Sequence, residues 1–70
     1  MNLYINGVAK SIETNQKLLT LKDVIEKLGH HPQTIVVEFN GNILRPNLWN
    51  DQPVKDGDTL EIVTIVGGGS

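Results

Sequence analysis

The residues of this 70-residue chain with the most suggestive chemistry sit at its end. The run "EIVTIVGGGS" stops a hydrophobic, strand-like stretch with Gly67, Gly68, Gly69 and Ser70. Glycine has no Cβ and reaches backbone angles closed to other residues, so a glycine run can thread a narrow channel. Such a run is also flexible enough to visit two different enzymes. The same letters also resemble an engineered linker, so the tail gains meaning only from what precedes it. Elsewhere the candidates are sparse. His30 and His31 could bind a metal, but adjacent histidines with no third ligand nearby read as a solvated loop. Asp56 and Asp58 flank Gly57, and turn chemistry accounts for them without catalysis. There is no phosphate-binding glycine loop, nucleophile elbow or HExxH pair.

Composition narrows the classes further. Seventy residues make one small domain, near the lower limit for a core without staples. The chain has no cysteine, which excludes disulfides, thiolate metal sites and a thiol nucleophile. A net charge of −2 with six scattered basic residues argues against nucleic acid as a partner. Its apolar stretches are too short to span a membrane. The N-terminus reads as a strand rather than a signal peptide, so the expected setting is cytoplasmic.

The elements that must carry the tail follow from periodicity. "MNLYIN" alternates, with Leu3 and Ile5 on one face and Asn2, Tyr4 and Asn6 on the other. Asn6-Gly7 is a hairpin signal, since a type I′ turn needs positive φ at both central residues. Residues 8–13 would return as the partner strand, followed by a polar loop. In "TLKDVIEKLG" (20–29), Leu21, Val24, Ile25 and Leu28 form one apolar helical stripe. Thr20 caps the helix and Asp23 completes a near capping box. Gly29 suits the position past its end, and Pro32 blocks continuation. Residues 34–40 read as a strand, Gly41-Asn42 as a turn, "ILR" as a short strand and "PNLWN" as a single helical turn. Residues 56–58 make another turn and 59–66 the last strand. Trp49 reads as a plug over one end of the core or as a partner contact, the plug being favoured.

A hairpin, a covering helix and returning strands make the β-grasp arrangement, with the first and last strands side by side in the middle. The expected fold class is α+β, a ubiquitin-like β-grasp. Its mixed sheet would have four to five strands, one α-helix would cover it, and a flexible glycine tail would follow. Residues 1–66 form the domain and 67–70 the tail.

At this point the chain resembles the thiamine-biosynthesis sulfur carriers, the ThiS family, over essentially its whole length. The features that carry the resemblance are "MNLYING", "TLKDVIEKLG", "VVEFNGNILRPNLW" and "VKDGDTLEIVTIVGGG", in that order and spacing. There are two departures. The family more often has Pro-Arg before the tryptophan turn, where this chain has Arg45-Pro46. Family members usually end on glycine, where this chain has Ser70. The resemblance implies a carrier with no catalysis and no cofactor of its own. An E1-like enzyme would adenylate the carboxylate of Gly69, with Gly67 and Gly68 as the slim tail behind it. A sulfur donor, such as a cysteine desulfurase, would leave a thiocarboxylate, and thiazole synthase would take up that sulfur. Ser70 is then one residue too many, expected to be removed before the carrier acts. Two other readings share fold and tail: a molybdenum-cofactor sulfur carrier and a ubiquitin-like protein modifier.

The sheet face away from the helix offers a docking surface. Period two places Val63 and Ile65 beside Glu61, Val36 beside Glu38, and Tyr4 outward. Tyr4, Val36, Val63 and Ile65 are expected to form an exposed apolar patch beside the tail. Ordinary strand propensity on a two-sided sheet is the alternative.

Overall fold

Asn6 and Gly7 both take positive φ, 52° and 80°, so the first turn has the backbone that Asn-Gly favours. It joins β1 (Asn2–Ile5) to β2 (Val8–Ser11) as an antiparallel hairpin. The computed structural model describes residues 1–65; Val66, Gly67, Gly68, Gly69 and Ser70 lie outside the described residues. After the hairpin and a loop come β3 (Leu19–Thr20) and the helix α1 (Leu21–Lys27). A short 3₁₀ turn over Pro32–Thr34 leads into β4 (Ile35–Phe39) and β5 (Asn42–Leu44). A longer 3₁₀ segment, Pro46–Asp51, precedes β6 (Pro53–Val54) and β7 (Thr59–Thr64).

Five strands form one mixed sheet in the order β2-β1-β7-β4-β5. β7 runs parallel to β1 and antiparallel to β4, so the first and last strands are neighbours at the centre. This is the β-grasp arrangement expected from the order of elements. The inner face carries Leu3, Ile5, Ile35, Val37, Phe39, Leu60 and Ile62, all buried. Leu21, Val24 and Ile25 of α1 join them in one core cluster, with Leu28 partly buried against it. The helix begins where the sequence places it. Asp23 N–H donates to Thr20 Oγ1 at 3.3 Å, and Thr20 N–H donates to Asp23 Oδ2 at 3.0 Å. The two bonds close a capping box with aspartate in the glutamate position. The Asp23 carboxyl is held below its ordinary pKa, chiefly by the Thr20 backbone N–H and then by the Thr20 hydroxyl, which donates to Oδ2 at 3.0 Å. Trp49 is buried, and its Nε1–H donates to the Leu44 carbonyl at 2.9 Å, so it plugs the core rather than facing a partner.

Three details differ from the sequence reading. The second turn is centred on Asn40-Gly41, with φ of 49° and 91°, and Asn42 already belongs to β5. It is a second Asn-Gly turn of the same backbone type, one residue before the pair Gly41-Asn42. Leu19, to which the sequence gives no element, and Thr20, expected as the helix cap, pair with β6 in a separate two-stranded sheet. Leu19 is buried there, and a ladder of two residues is too short to leave an alternating pattern. The partner strand β2 ends at Ser11, and Ile12 turns into the core beyond it.

Candidate functional site

The tail is reached through β7, and β7 is held from both sides. Asn40 N–H donates to the Thr59 carbonyl at 2.8 Å, while Thr59 N–H donates to Asn40 Oδ1, also at 2.8 Å. On the opposite edge Ile62 N–H donates to Asn6 Oδ1 at 2.7 Å, and Asn6 Nδ2 donates to the Ile62 carbonyl at 3.2 Å. The Asn6 amide thus stands in for the strand residue that β1 no longer supplies once its chain turns. Both asparagines of the two Asn-Gly turns therefore do a second job, fixing the strand that leads to the tail. Ile65 N–H donates to the Thr34 carbonyl at 2.7 Å, so the sheet grips the chain up to the last described residue. Gly67, Gly68 and Gly69, read as the tail and its reacting end, fall just outside.

The outer sheet face follows from the register. Val63 lies opposite Val36, and Glu61 opposite Glu38, on β7 and β4. Ile65 follows on the same side of β7. Val63 is 61% exposed and Ile65 47%, while Val36 is half-buried between strands. Val36, Val63 and Ile65 thus form an apolar group at the tail end of the sheet. Tyr4, 49% exposed, shares the face, but its register partner is Thr59. Thr59 lies four residues back along β7 from Val63, about 13 Å at strand rise. Tyr4 therefore does not join the group at the tail; the Glu38–Glu61 pair lies between. Like charges directly opposite on a sheet repel, so this pair costs stability and favours a cationic contact. The sequence reading missed Ile43, 66% exposed and opposite Glu38 on the edge strand β5. Reading "NIL" as the return of an Asn40-Gly41 hairpin would have assigned its face.

The remaining candidates have structural roles. Asp58 Oδ2 accepts from Lys55 N–H at 2.7 Å and its Oδ1 from Asn40 Nδ2 at 3.1 Å; Asp56 accepts from Asn2 N–H. His30 and His31 follow the helix, and among the described residues no three metal-binding side chains come together. The described residues enclose no pocket, so the candidate site is a surface and the strand running off it. No helix among them is long and apolar enough to cross a membrane.

A ubiquitin-like β-grasp domain whose central last strand precedes a glycine run is an architecture that sulfur carriers share with ubiquitin-like modifiers. The comparisons agree. The ThiS family model matches residues 3–69. The crystal structure of the thiamine biosynthesis protein ThiS of Geobacter metallireducens superposes with a TM-score of 0.80 at 30% identity, covering 99% of this chain and all of that one. The sulfur carrier protein ThiS of Thermus thermophilus is 30% identical over 67 residues, 96% of this chain and 98% of that protein. A thiazole synthase of Paramagnetospirillum magneticum is 34% identical over all 70 residues, which span 21% of its length. The chain belongs to the ThiS family of thiamine-biosynthesis sulfur carriers, and acts as a carrier rather than a catalyst.

Proposed function

We propose that this protein carries sulfur for thiazole synthesis as a thiocarboxylate on Gly69. The observation that carries the reading is the course of β7. It is the central strand, it is bonded on both edges, and it is held as far as Ile65, two positions before the first glycine of the run. A folded domain followed by glycines, which carry no side chains, can present one carboxylate inside another protein's active site. The match of the family model as far as Gly69, with Ser70 outside it, supports Gly69 as the reacting residue.

A carboxylate is a poor electrophile. An E1-like enzyme joins it to the AMP portion of ATP, pyrophosphate leaves, and the acyl carbon gains a good leaving group. The outer sulfur of a donor persulfide, such as one carried on a cysteine desulfurase, attacks the acyl carbon and displaces AMP. A dithiol then reduces the S–S bond of the resulting acyl disulfide, becomes a disulfide itself, and frees the terminal thiocarboxylate, which passes to thiazole synthase. The thiazole synthase relative, within which a stretch similar to this entire chain occurs, supports that partner. The carrier's part is presentation. Val36, Val63 and Ile65 dock the tail end of the sheet on the activating enzyme, and the Glu38–Glu61 pair receives a basic side chain. Tyr4 marks the outer limit of that contact.

Ser70 would displace the reacting carbon by one residue and spoil its alignment with ATP, so it is removed before activation. The test presents the 70-residue protein and a form ending at Gly69 to the activating enzyme with ATP and a sulfur source. Mass spectrometry is expected to show oxygen replaced by sulfur only on the shorter form. Thiocarboxylation of Ser70 at a comparable rate would contradict the assignment. High-mass conjugates on lysines of other proteins would support a modifier instead.

A further inference from the structure

The ladder between β7 and β4 fixes which way each β7 residue points its backbone. Ile65 N–H bonds to Thr34, and Thr59 exchanges bonds with Asn40, so residues 59, 61, 63 and 65 face β4. Leu60 and Ile62 face the other way. Leu60 accepts from Asn6 N–H, and Ile62 bonds to the Asn6 side chain on both its N–H and its carbonyl. By the same alternation Thr64 directs its N–H and carbonyl toward the β1 side. β1 has no residue there. Its register with β7 covers Tyr4–Thr59 and Ile5–Leu60, and the chain then turns at Asn6-Gly7 into β2. No described residue of β1 lies in register with Thr64 on that side, and Thr64 is exposed. The middle strand of the sheet therefore has an open edge at its last residue, Thr64, with Ile65 and Val66 between it and the glycine run.

We infer that this open edge of β7 is a strand-addition site for thiazole synthase, an inference that rests on the carrier reading above. An extended segment of that enzyme would take the place β1 vacates, exchanging backbone hydrogen bonds with Thr64. Val63 and Ile65, exposed on the outer face to either side of Thr64, supply apolar contact for the alternate side chains of the incoming strand. Asn6 closes the edge at Ile62 and so fixes where the added strand must stop. The occupant follows from continuity: the edge lies on the same strand as the run of glycines whose cargo that enzyme receives, only Ile65 and Val66 apart from it. The arrangement sets the register of the tail before its end enters the active site. A second copy of this chain pairing edge to edge is the competing occupant.

Two measurements test the inference. In the first, amide hydrogen exchange is followed by NMR in the wild-type protein, free and bound to thiazole synthase. Thr64 is expected to exchange fast when free and to be protected in the complex, while Ile65, bonded to Thr34, is protected in both. A Thr64 amide that stays fast in the complex overturns the inference, as does one already protected in the free protein by self-pairing. In the second, Thr64→Pro removes an N–H that the β4 ladder does not use, a position where an edge strand tolerates proline. It is expected to weaken binding to thiazole synthase about tenfold, against less than about twofold for Thr64→Val, which keeps the N–H. Equal affinities for the two variants overturn the strand-addition site while leaving the carrier reading standing. Absence of binding by the wild-type protein overturns the carrier reading, and this inference with it.

Discussion

Asn6 combines two jobs that substitution can separate. Its φ of 52° is left-handed, and its side-chain amide makes two bonds to the Ile62 backbone, at 2.7 and 3.2 Å. Alanine at this position loses both bonds, about 1 kcal/mol each, and pays about 1–2 kcal/mol for the left-handed backbone. Asn6→Ala is therefore expected to destabilise the domain by about 3–4 kcal/mol. Asn6→Gly accepts the backbone freely and loses only the bridge, so its cost should be about 2 kcal/mol. For a domain of this size that is a fall of about 8 °C or more in Tm. Thermal melts and urea titrations of the three proteins provide the comparison. An Asn6→Gly variant as stable as wild type would mean that the turn alone explains the asparagine and that the bridge to β7 contributes nothing.

Ile25 is buried and Lys22 exposed on the same helix, so Ile25→Ala should cost about 2–5 kcal/mol and Lys22→Ala under about 0.5 kcal/mol in denaturant titrations. Ile65→Asp should leave the circular dichroism spectrum unchanged, since Ile65 is half exposed at the strand end. It should weaken binding to the activating enzyme by about 2 kcal/mol in a titration. Asp23 has its pKa lowered from 3.8, so the stability it adds is fully present above that value and is lost as pH falls through the lower folded pKa. Asp23→Asn should remove this part of the acid-induced loss, read from Tm against pH. Glu61→Gln relieves the repulsion with Glu38 and should raise stability by about 0.2–1 kcal/mol, most at low salt.

The helix and the inner face of the sheet were legible because each rests on a repeating pattern. Leu21, Val24 and Ile25 recur at helical spacing, and Ile35, Val37 and Phe39 alternate, and all six are buried. What periodicity cannot convey is distance along a strand or a contact between distant residues. Tyr4 was assigned to the correct face, yet only the parallel register with Thr59 reveals that it sits at the far end from Ile65. Asn6 and Asn40 look like turn residues in sequence. Their bonds to β7 span 56 and 19 positions and depend on which strands become neighbours. The β3–β6 pair joins two dipeptides with no pattern of their own. Ile43 was overlooked for a local reason: placing the turn on Gly41-Asn42 instead of Asn40-Gly41 shifted the start of β5 and hid its face.

The proposed route carries sulfur on Gly69 to thiazole synthesis. Its most direct measurement follows labelled sulfur through a single turnover. The form ending at Gly69 is loaded with labelled sulfur by the activating enzyme, purified, and mixed with thiazole synthase and the remaining precursors of the thiazole ring. The label is expected to leave the Gly69 carbonyl and appear in the thiazole in equal amount. Label that stays on the protein, or thiazole that forms at the same rate from unlabelled sulfur without it, would contradict the account.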